Sequence, residues 1–329
     1  MKSLVIGLNF GQLYTRVLKK MGHEVITVDI DSKQNPMFLE LTTALKTHPT
    51  YDTIHICTPN NTHYIVAQKV AKHGKIIFIE KPGVETPQQW QLLQTLNPGT
   101  KFIMTKNNMF RSKLFLDKVK ESALQSDTIE INWINQDRIP NPGSWFTNKK
   151  LAFGGVTHDL FPHLLSIFIE LNLTSYQNFK IKNFHKEQKW NLKDIHMRYD
   201  VYGKEIKEEI GQGGTYGTIN KDGVYDVDDQ AQMELSNDNK TFKIKADWKR
   251  GRPGQKEIIS IDDIGLHFYK DDVEHLNFIE LGLCPESAYE NMIRHCLVHL
   301  EDKMFWNKQL EYDLWIQKAI INDDKVTIH

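Results

Sequence analysis

The sequence is poor in cysteine, carries almost no net charge and has no long apolar run. Its three cysteines, Cys57, Cys284 and Cys296, are odd in number and widely spaced, so they offer neither a disulfide framework nor a Cys-x-x-Cys metal site. Lysine and arginine number 41 against 42 aspartate and glutamate residues, which leaves no basic excess for a nucleic acid. No stretch approaches the roughly 18 apolar residues of a membrane span, and the N-terminus lacks signal-peptide features. These absences predict a cytoplasmic protein that binds neither nucleic acid nor membrane.

The length of 329 residues predicts two domains, because a domain commonly has roughly 100 to 200 residues. Residues 1–120 alternate short β-branched runs with helical segments, which is typical of an α/β fold whose parallel sheet is covered on both faces. Residues 121–329 contain longer and more polar strands. The predicted fold is therefore a Rossmann doubly wound parallel sheet followed by an α+β domain with a large, mostly antiparallel open sheet.

The periodicity also predicts individual elements. The strands of the first domain are predicted at 3–6, 24–29, 53–57, 76–79 and 102–104, and its helices at 12–21, 62–73 and 87–96. Strands of the second domain are predicted at 128–134, 179–184, 230–235 and 242–248, with a hairpin turn at 236–239 and helices starting near 159 and spanning 311–321. Residues 203–223 hold six glycines and are predicted to form a loop insertion.

A glycine turn follows the first predicted strand. Gly7 follows that strand, Gly11 opens the predicted helix, and Asp29 ends the second strand 22 residues after Gly7. Such a turn lets a dinucleotide pyrophosphate approach a helix N-terminus, while the acid takes the ribose hydroxyls. The usual GxGxxG pattern would need glycines at 7, 9 and 12, but Asn9 replaces the second and the last comes one residue early. Asp29 favours NAD, since a carboxylate repels a 2′-phosphate, whereas Lys33 leaves NADP open.

Three further segments carry polar side chains suited to catalysis. Thr58-Pro59-Asn60-Asn61-Thr62-His63 follows the third strand and Glu80-Lys81-Pro82 the fourth, at the sheet edge where such folds bind ligands. Asp159 and His163 are four residues apart and share a face if helical. We expect them to line one crevice with Lys81, offering a charge, an orienting carboxylate and a base. Singly, each has an ordinary interpretation as a solvated lysine, a helix cap or a structural histidine.

Together these residues resemble the Gfo/Idh/MocA oxidoreductases, named after glucose-fructose oxidoreductase and inositol dehydrogenase. The resemblance covers essentially the whole chain and is carried by the glycine turn, the TPN-x-x-H and EKP segments, Asn107 with Phe110, Trp145 before the double glycine, the D-x-x-x-H pair, and the hairpin ending in Trp248. It implies that Lys81 contacts the nicotinamide ribose and the reacting hydroxyl. In the family the Lys-Pro bond is commonly cis, which would fix the direction of the lysine. It also implies that His163 is the general base, its pKa lowered by Lys81, and that Asp159 orients the substrate.

The predicted site follows from these motifs and the resemblance. The cofactor-binding residues are Gly7, Asn9, Phe10, Gly11, Asp29, Thr58, Pro59, Asn60, His63, Glu80, Lys81, Pro82 and Asn107. The catalytic residues are Lys81, Asp159 and His163, and the substrate-binding residues are these three with Trp145. His158, His63 and Trp145 have the weaker signals, because His63 can simply start a helix near the cofactor and Trp145 can be pocket wall or core. No histidine has ligand spacing, so no metal site is predicted.

Some positions depart from the family pattern. Met109 stands where an arginine is frequent, and residues 190–227 carry no family signature. Gly211-Gln212-Gly213-Gly214 is interpreted as a flexible loop, because neither a strand nor an apolar helix flanks it.

Three functions are compatible with the sequence. The first is an NAD(P)-dependent dehydrogenase or reductase, with NAD preferred, acting on a small molecule that the resemblance identifies as a sugar, polyol or sugar derivative. The second is a redox-neutral member whose cofactor stays bound during glycoside cleavage. The third is a non-catalytic ligand sensor, which the altered glycine turn favours but the presence of Lys81, Asp159 and His163 disfavours. The resemblance also implies a homo-oligomer, either a dimer or a tetramer.

Overall fold

The computed structural model describes residues 1–136, 138–195, 198–199, 205–206, 219–251 and 262–321. The loop insertion predicted at 203–223 lies largely outside these residues, and the flexible loop predicted at 211–214 lies wholly outside them. The described chain divides into two compact units, one made of Met1–Ser112 with Cys284–Ile321 and the other of Lys113–Leu283. None of the helices in the described ranges is long and apolar enough to cross a membrane.

The elements alternate in the first part of the chain and become strand-rich later. The strands are β1 (Lys2–Ile6), β2 (Glu24–Val28), β3 (Tyr51–Ile56), β4 (Gly74–Ile79), β5 (Lys101–Met104), β6 (Thr128–Ile134), β7 (Lys180–Glu187), β8 (Arg198–Tyr199), β9 (Glu205–Ile206), β10 (Gln230–Ser236), β11 (Thr241–Asp247), β12 (Asp263–Lys270) and β13 (Val273–Glu280). The helices are α1 (Leu8–Lys20), α2 (Leu41–Thr47), α3 (His63–Val70), α4 (Pro87–Leu96), α5 (Lys113–Leu124), α6 (Lys149–Ala152), α7 (Val156–Asp159), α8 (Phe161–Leu171), α9 (Leu192–Ile195), α10 (Glu286–Val298) and α11 (Lys303–Ile321).

The first unit contains a parallel sheet with the strand order β2-β1-β3-β4-β5. Its central strands are almost continuously apolar, and Ile54, Ile56, Ile76, Ile77 and Ile79 have no exposed surface. Such runs occur where helices cover both faces of a sheet. The strand order reverses between β1 and β3, which is the point at which doubly wound sheets bind their ligands. The predicted Rossmann fold is confirmed.

The last two helices belong to this first unit. Tyr289, Met292 and Cys296 of α10 pack in one buried cluster with Tyr14 and Val17 of α1. The predicted division at residue 120 differs from this arrangement, because it assigned everything after that residue to the second domain. The apolar face of α10 explains the difference: it covers α1 over a sequence separation of more than 250 residues, which no local pattern reveals.

The second unit is built on a sheet with the order β13-β12-β6-β11-β10-β7. Its neighbouring strands are antiparallel except for β6 and β11, which are parallel. Helix α8 packs on one face, where Phe168 meets Phe242 edge to face with ring centroids 5.0 Å apart. The other face is polar on β6 and β11, where Lys245 donates to Glu130 at 3.0 Å. The predicted large, mostly antiparallel open sheet is therefore confirmed.

A chain of polar side chains runs through the interior of the first unit. The His23 ring lies 2.7 Å from the Ser3 hydroxyl, which is 2.8 Å from the Thr53 hydroxyl, which is 3.0 Å from Nε2 of His55. His55 is fully buried and stacks on Phe78, with centroids 4.7 Å apart, while its Nδ1 has no hydrogen-bond partner among the described residues. Burial lowers the pKa of His55 to about 3.

We expect the His55→Phe variant to lose less stability than the wild type on acidification. The unfolded chain takes up the His55 proton below about pH 6.5, whereas the folded protein does so only near pH 3, so this contribution is present at neutral pH and lost as the pH falls. The His55 contribution to the free energy of unfolding should fall by about 2 kcal/mol between pH 7 and pH 5. Urea unfolding at both pH values tests this, and parallel losses in the two proteins would contradict it.

Candidate active site

Four loops meet at one edge of the parallel sheet. Gly7 follows β1, Thr58 comes soon after β3, Lys81 after β4 and Thr105 directly after β5. Strands β1, β3, β4 and β5 are consecutive neighbours in the sheet. Because the carboxyl ends of parallel strands lie at the same edge, the segments that follow them form a row of loops. The sequence predicted this neighbourhood for the TPN and EKP segments, and the strand order places them side by side.

The glycine turn is tightly packed against the loop after β3. Gly7 has a φ of +86°, and a Cβ atom on it would lie 2.7 Å from the carbonyl oxygen of Cys57. A Cβ on Gly11 would lie 2.8 Å from Cγ1 of Val5, so Gly11 permits close packing of α1 on β1. Helix α1 begins at Leu8, earlier than the predicted start at residue 12, because Gly7 alone makes the turn. Gly11 therefore lies within the first turn of the helix instead of opening it.

Asp29 anchors the start of α1. Its Oδ2 accepts a hydrogen bond from the Leu8 amide at 2.6 Å, and its Oδ1 accepts one from the Asp31 amide at 2.8 Å. Each carboxylate oxygen has a second lone pair, so Asp29 retains acceptors for ribose hydroxyls. Asn9 and Phe10 are exposed at the helix N-terminus, where free amides favour a phosphate. The turn fits a dinucleotide, with the exposed side chain of Asn9 at the position that is usually glycine.

The loop after β3 is partly buried, and its histidine is wholly buried. Thr58, Pro59 and Asn60 retain accessible surface. The ring of His63 has none, and its Nε2 and Nδ1 lie 2.7 Å from the carbonyl oxygens of Thr58 and Gly83, respectively. Burial lowers the pKa of His63, the two carbonyl contacts raise it, and the nearby Lys81 lowers it. His63 thus connects the loops after β3 and β4 and has no exposed surface, and its predicted contact with the cofactor stays a prediction.

The EKP segment has only one residue with substantial exposed surface. Glu80 is buried and accepts a hydrogen bond from the Tyr14 hydroxyl at 2.6 Å; burial raises its pKa, while Tyr14 and Lys81 lower it. Pro82 is also buried, and the Lys81–Pro82 peptide bond is cis. Glu80 and Pro82 thus lie in the interior of the first unit, and their predicted cofactor contacts stay predictions. Lys81 remains partly exposed, as its predicted function requires.

Asn107 is part of the wall behind these loops. It is 1% exposed and lies beside Tyr289 of α10, whose ring centroid is 6.3 Å from that of Phe10. In the described structure its Oδ1 atom has no hydrogen-bond partner. Asn107 thus connects the loop after β5 to α10, and a direct cofactor contact is not visible from its position. Sequence reasoning missed Tyr289, which belongs to no motif.

The predicted Asp159 and His163 pair spans two short helices in the second unit. Asp159 is the last residue of α7, and His163 lies in the first turn of α8. The structure thus differs from the single helix predicted from residue 159, since the chain turns at Leu160. Pro162 suits the first turn of α8 because no intrahelical donor is needed there. His163 is partly exposed, and its ring lies 5.9 Å from Trp133.

Two residues that the motifs did not reveal hold this segment. Trp248 donates from Nε1 to Oδ2 of Asp159 at 2.9 Å, inside the protein. Asp228 caps α7 from outside the helix, accepting from the amides of Gly155 at 2.9 Å and Thr157 at 2.8 Å. A Cβ on Gly155 would lie 1.8 Å from the Asp228 carbonyl oxygen, which explains the second glycine of the pair. The carboxylate of Asp159 is therefore fixed by a tryptophan and a capped helix.

His158 and Trp145 occupy different environments within this unit. His158 is buried beneath Gly154, and burial lowers its pKa to about 4, so its ring is neutral at physiological pH. Trp145 is partly exposed, and a row of aromatic rings connects it through Phe146 to Trp248, with centroid distances of 5.0 and 5.8 Å. Trp145 is thus linked through Phe146 to the tryptophan that contacts Asp159, while His158 is a core residue. Among the described residues, no group of three or more His, Cys, Asp or Glu side chains is arranged to hold a metal.

Comparison with known proteins identifies the class of the first unit. Residues 1–105 match the family model GFO_IDH_MocA, described as "Oxidoreductase family, NAD-binding Rossmann fold". The predicted resemblance to the Gfo/Idh/MocA oxidoreductases is thereby confirmed over residues 1–105. A curated relative from Amycolatopsis mediterranei (strain S699), named "Putative UDP-kanosamine synthase oxidoreductase subunit", is 24% identical over 178 residues. That match spans about half of each protein, 50% of this chain and 49% of the relative.

Solved structures match the fold over nearly the whole chain. Levoglucosan dehydrogenase in complex with NADH and levoglucosan has a TM-score of 0.66 and 15% identity, covering 98% of this chain and 96% of that one. GenD2 from gentamicin A biosynthesis, in complex with NAD, has a TM-score of 0.65 and 14% identity over 97% and 92%. An NAD-binding protein from Listeria innocua has a TM-score of 0.62 and 16% identity over 97% and 92%. At these identities the likeness concerns the fold.

Proposed function

We propose that this protein is an NAD-dependent oxidoreductase that transfers hydride between the nicotinamide and a hydroxyl or carbonyl carbon of a sugar, polyol or sugar derivative. The observation that carries the proposal is the position of Lys81, partly exposed in the same row of strand-end loops as the Gly7 turn. The match to an NAD-binding oxidoreductase family supports it. The substrate class is supported by relatives such as levoglucosan dehydrogenase.

The proposed cofactor site uses the residues around the glycine turn. The first amides of α1 would take the pyrophosphate, Asp29 the adenosine ribose, and the loop from Thr58 to Asn60 the neighbouring part of the dinucleotide. Asn9 would bind the phosphates through its side-chain amide, because its Cβ prevents the close backbone approach that glycine allows. When bound, the nicotinamide supplies the acceptor or donor of hydride.

In the proposed mechanism, the protein's own residues handle the proton. During oxidation His163 accepts the hydroxyl proton of the substrate while hydride leaves the same carbon, and during reduction His163 returns a proton to the carbonyl oxygen. Lys81 hydrogen bonds the reacting oxygen with its ammonium group, and Asp159 orients the substrate through a second hydroxyl. Trp248 fixes Asp159 by its indole N–H, so that the carboxylate rotamer is set before substrate binds.

We expect NADH to bind more tightly than NADPH by about tenfold or more, because the Asp29 carboxylate, proposed to take the ribose hydroxyls, repels a 2′-phosphate. Quenching or shift of NADH and NADPH fluorescence measures both affinities. Asp29→Asn keeps the shape of the side chain but removes its charge, so it should reduce the ratio of NADH affinity to NADPH affinity. Equal affinities in the wild type would contradict the proposed preference, and absence of binding to either would favour a ligand sensor instead.

A substrate screen tests the reaction itself. Sugars, polyols, sugar acids and nucleotide sugars are offered with NAD, and the absorbance of the reduced cofactor is followed. Net production of NADH with a compound of this class supports a dehydrogenase. Conversion of substrate without net NADH would indicate the redox-neutral reaction, in which the cofactor is reduced and reoxidised within one turnover.

The oligomer remains part of the proposal. The open face of the second sheet carries alternating charges, with Glu130 lying between Lys243 and Lys245 at 4.0 and 3.0 Å. Such a face is suited to polar association with a second copy of the chain. Light scattering on the purified protein measures the number of subunits.

A further inference from the structure

The backbone around Lys81 is held by groups from several elements of the first unit. The Lys81 amide donates to the Thr105 hydroxyl at 3.2 Å, just beyond the end of β5. The Gly83 amide donates to the Glu80 carbonyl oxygen at 2.9 Å, which closes the turn that contains Lys81. These contacts occupy the amides of the turn. The two carbonyl groups that follow Lys81 are held by something else.

Two buried side chains from distant helices take these carbonyl groups. Nδ1 of His63, at the start of α3, lies 2.7 Å from the Gly83 oxygen. Nε2 of Gln317, near the end of α11, donates to the Pro82 oxygen at 3.3 Å. His63 has no exposed surface and Gln317 is 1% exposed. The close approach of Gln317 depends on Gly83, since a Cβ there would lie 2.5 Å from Nε2.

We propose that His63 and Gln317 are positioning residues, forming a carbonyl clamp that sets the direction of Lys81. The clamp is defined as these two side chains together with the Pro82 and Gly83 carbonyl groups. The clamp rests on the proposed function, because only that function requires Lys81 to point in a particular direction. It adds to that function a requirement for α11, the last described helix of the chain.

Stability alone does not account for the glutamine. Oε1 of Gln317 has no hydrogen-bond partner in the described part of the chain, so only half of its buried amide is satisfied. An unsatisfied buried polar atom is costly, and an apolar side chain of similar shape would avoid that cost at Gln317 but would leave the Pro82 carbonyl oxygen without its donor. What the amide does provide is one donor, directed at the carbonyl group next to Lys81. Gln317 therefore fixes the geometry of the turn and leaves one polar atom unsatisfied in the core.

The two nitrogens of His63 separate the clamp from a simple loop contact. Nδ1 faces Gly83 and the turn of Lys81, whereas Nε2 faces Thr58 at the same 2.7 Å distance. A neutral imidazole donates through only one of its nitrogens. Asparagine reproduces a donor near the Nδ1 position and glutamine one near the Nε2 position. His63→Asn therefore retains the clamp contact, and His63→Gln retains the other one.

The test measures the accessibility of the Lys81 amine, so it needs no substrate. Each protein is treated with acetic anhydride with and without NADH, and acetylation of Lys81 is quantified by peptide mass spectrometry. NADH fluorescence sets equal occupancy in every sample. In the wild type, NADH should slow acetylation of Lys81. In Gln317→Met and His63→Gln this protection should fall by about threefold to tenfold, the range expected for loss of one hydrogen bond. His63→Asn should keep it.

Gln309→Met is the matched control. Gln309 lies on the same helix, is also buried, and also has an Oε1 atom without a partner among the described residues. In the described structure no hydrogen bond connects the Gln309 side chain to the turn of Lys81. NADH should therefore protect Lys81 in Gln309→Met as well as it does in the wild type. Thermal unfolding checks that each variant is folded. His63→Asn and His63→Gln both supply an amide donor, but they place it near the Nδ1 and Nε2 positions, respectively.

The outcomes distinguish the clamp from the function on which it rests. If NADH protects Lys81 equally in the wild type, Gln317→Met and both His63 variants, the clamp is refuted while the placement of Lys81 beside the cofactor stands. If NADH binds the wild type but does not protect Lys81, the proposed function fails and the clamp fails with it. Loss of protection in Gln309→Met as large as in Gln317→Met would also overturn the clamp.

Discussion

Replacing Lys81 with alanine is expected to lower kcat/KM by about 10²- to 10⁴-fold, the usual contribution of a positioned group that handles a proton. The proposed role of Lys81 is to hydrogen bond the reacting oxygen as its charge changes. Alanine removes the ammonium group, while the buried Glu80 beside it keeps its hydrogen bond from Tyr14 at 2.6 Å. Steady-state kinetics with the substrate found in the screen measures the loss, and circular dichroism confirms that the fold is intact.

Lys75→Ala is the matched control for this experiment. Lys75 lies near the beginning of β4, the strand that precedes Lys81. Its exposed side chain pairs with Asp52 at 2.7 Å. Removing it takes one positive charge from the same unit without touching the loops at the carboxyl edge. Its kinetics should match those of the wild type. Unchanged turnover in Lys81→Ala, or an equal loss in Lys75→Ala, would refute the catalytic role.

The Asp313→Asn variant is expected to lower the free energy of unfolding by about 3–5 kcal/mol, because it leaves the buried charge of Lys106 without its partner. Lys106 and Asp313 form an ion pair in which neither side chain is exposed. The carboxylate also accepts from the Met104 amide at 3.1 Å, and Lys106 donates to the Met104 carbonyl oxygen at 3.1 Å. The pair thus joins α11 to the end of β5. Urea unfolding measures the change.

Two controls define what this result means. Asp117→Asn breaks an exposed Lys113–Asp117 pair four residues apart on α5, and such surface pairs contribute little, so its unfolding midpoint should not move measurably. The double variant Lys106→Met, Asp313→Leu removes both charges and should be more stable than Asp313→Asn, because no unpaired charge remains. A stable Asp313→Asn protein would show that the buried pair does not anchor α11.

The parallel sheet was predictable because its strands are short, apolar and bounded by polar turns. The predicted strand at 102–104 differs from β5 by a single residue, and the helix predicted at 87–96 has the same bounds as α4. In the second unit, β6 also has its predicted bounds. Strong periodicity thus fixed the elements whose packing is local. The positions of loops at the carboxyl edge then followed from the connectivity of a parallel sheet.

Other elements lacked such a pattern. Helix α10 was not predicted, because its sequence mixes polar residues with the apolar residues that contact α1. Strands β12 and β13 were also missed, and they pair with each other with register shifts around Phe268. The predicted helix at 311–321 was too short, since α11 begins at Lys303. In each case a distant contact stabilises the element, and local propensity does not report it.

Single residues of the candidate site were also only partly predictable from local sequence motifs. Motif spacing selected Lys81, Asp159 and His163, and the structure leaves Lys81 and His163 partly exposed. The same motifs also selected His63 and Glu80, which are buried and bonded to neighbouring groups. A motif preserves residues that shape a loop as well as those that touch a ligand, and only burial separates the two. Gln317 belongs to no motif, and its contact with Pro82 spans 235 positions.

The return of α10 and α11 to the first unit has a consequence for biosynthesis. Residues Lys113–Leu283 form a continuous segment, so the second unit has its described elements as soon as residue 283 has left the ribosome. The nucleotide-binding half begins first but is finished last, since Cys284–Ile321 must still be translated. Until then, the face of α1 that α10 later covers is open to solvent and to chaperones. A nascent chain therefore completes its cofactor-binding half only after the whole Lys113–Leu283 segment has been translated.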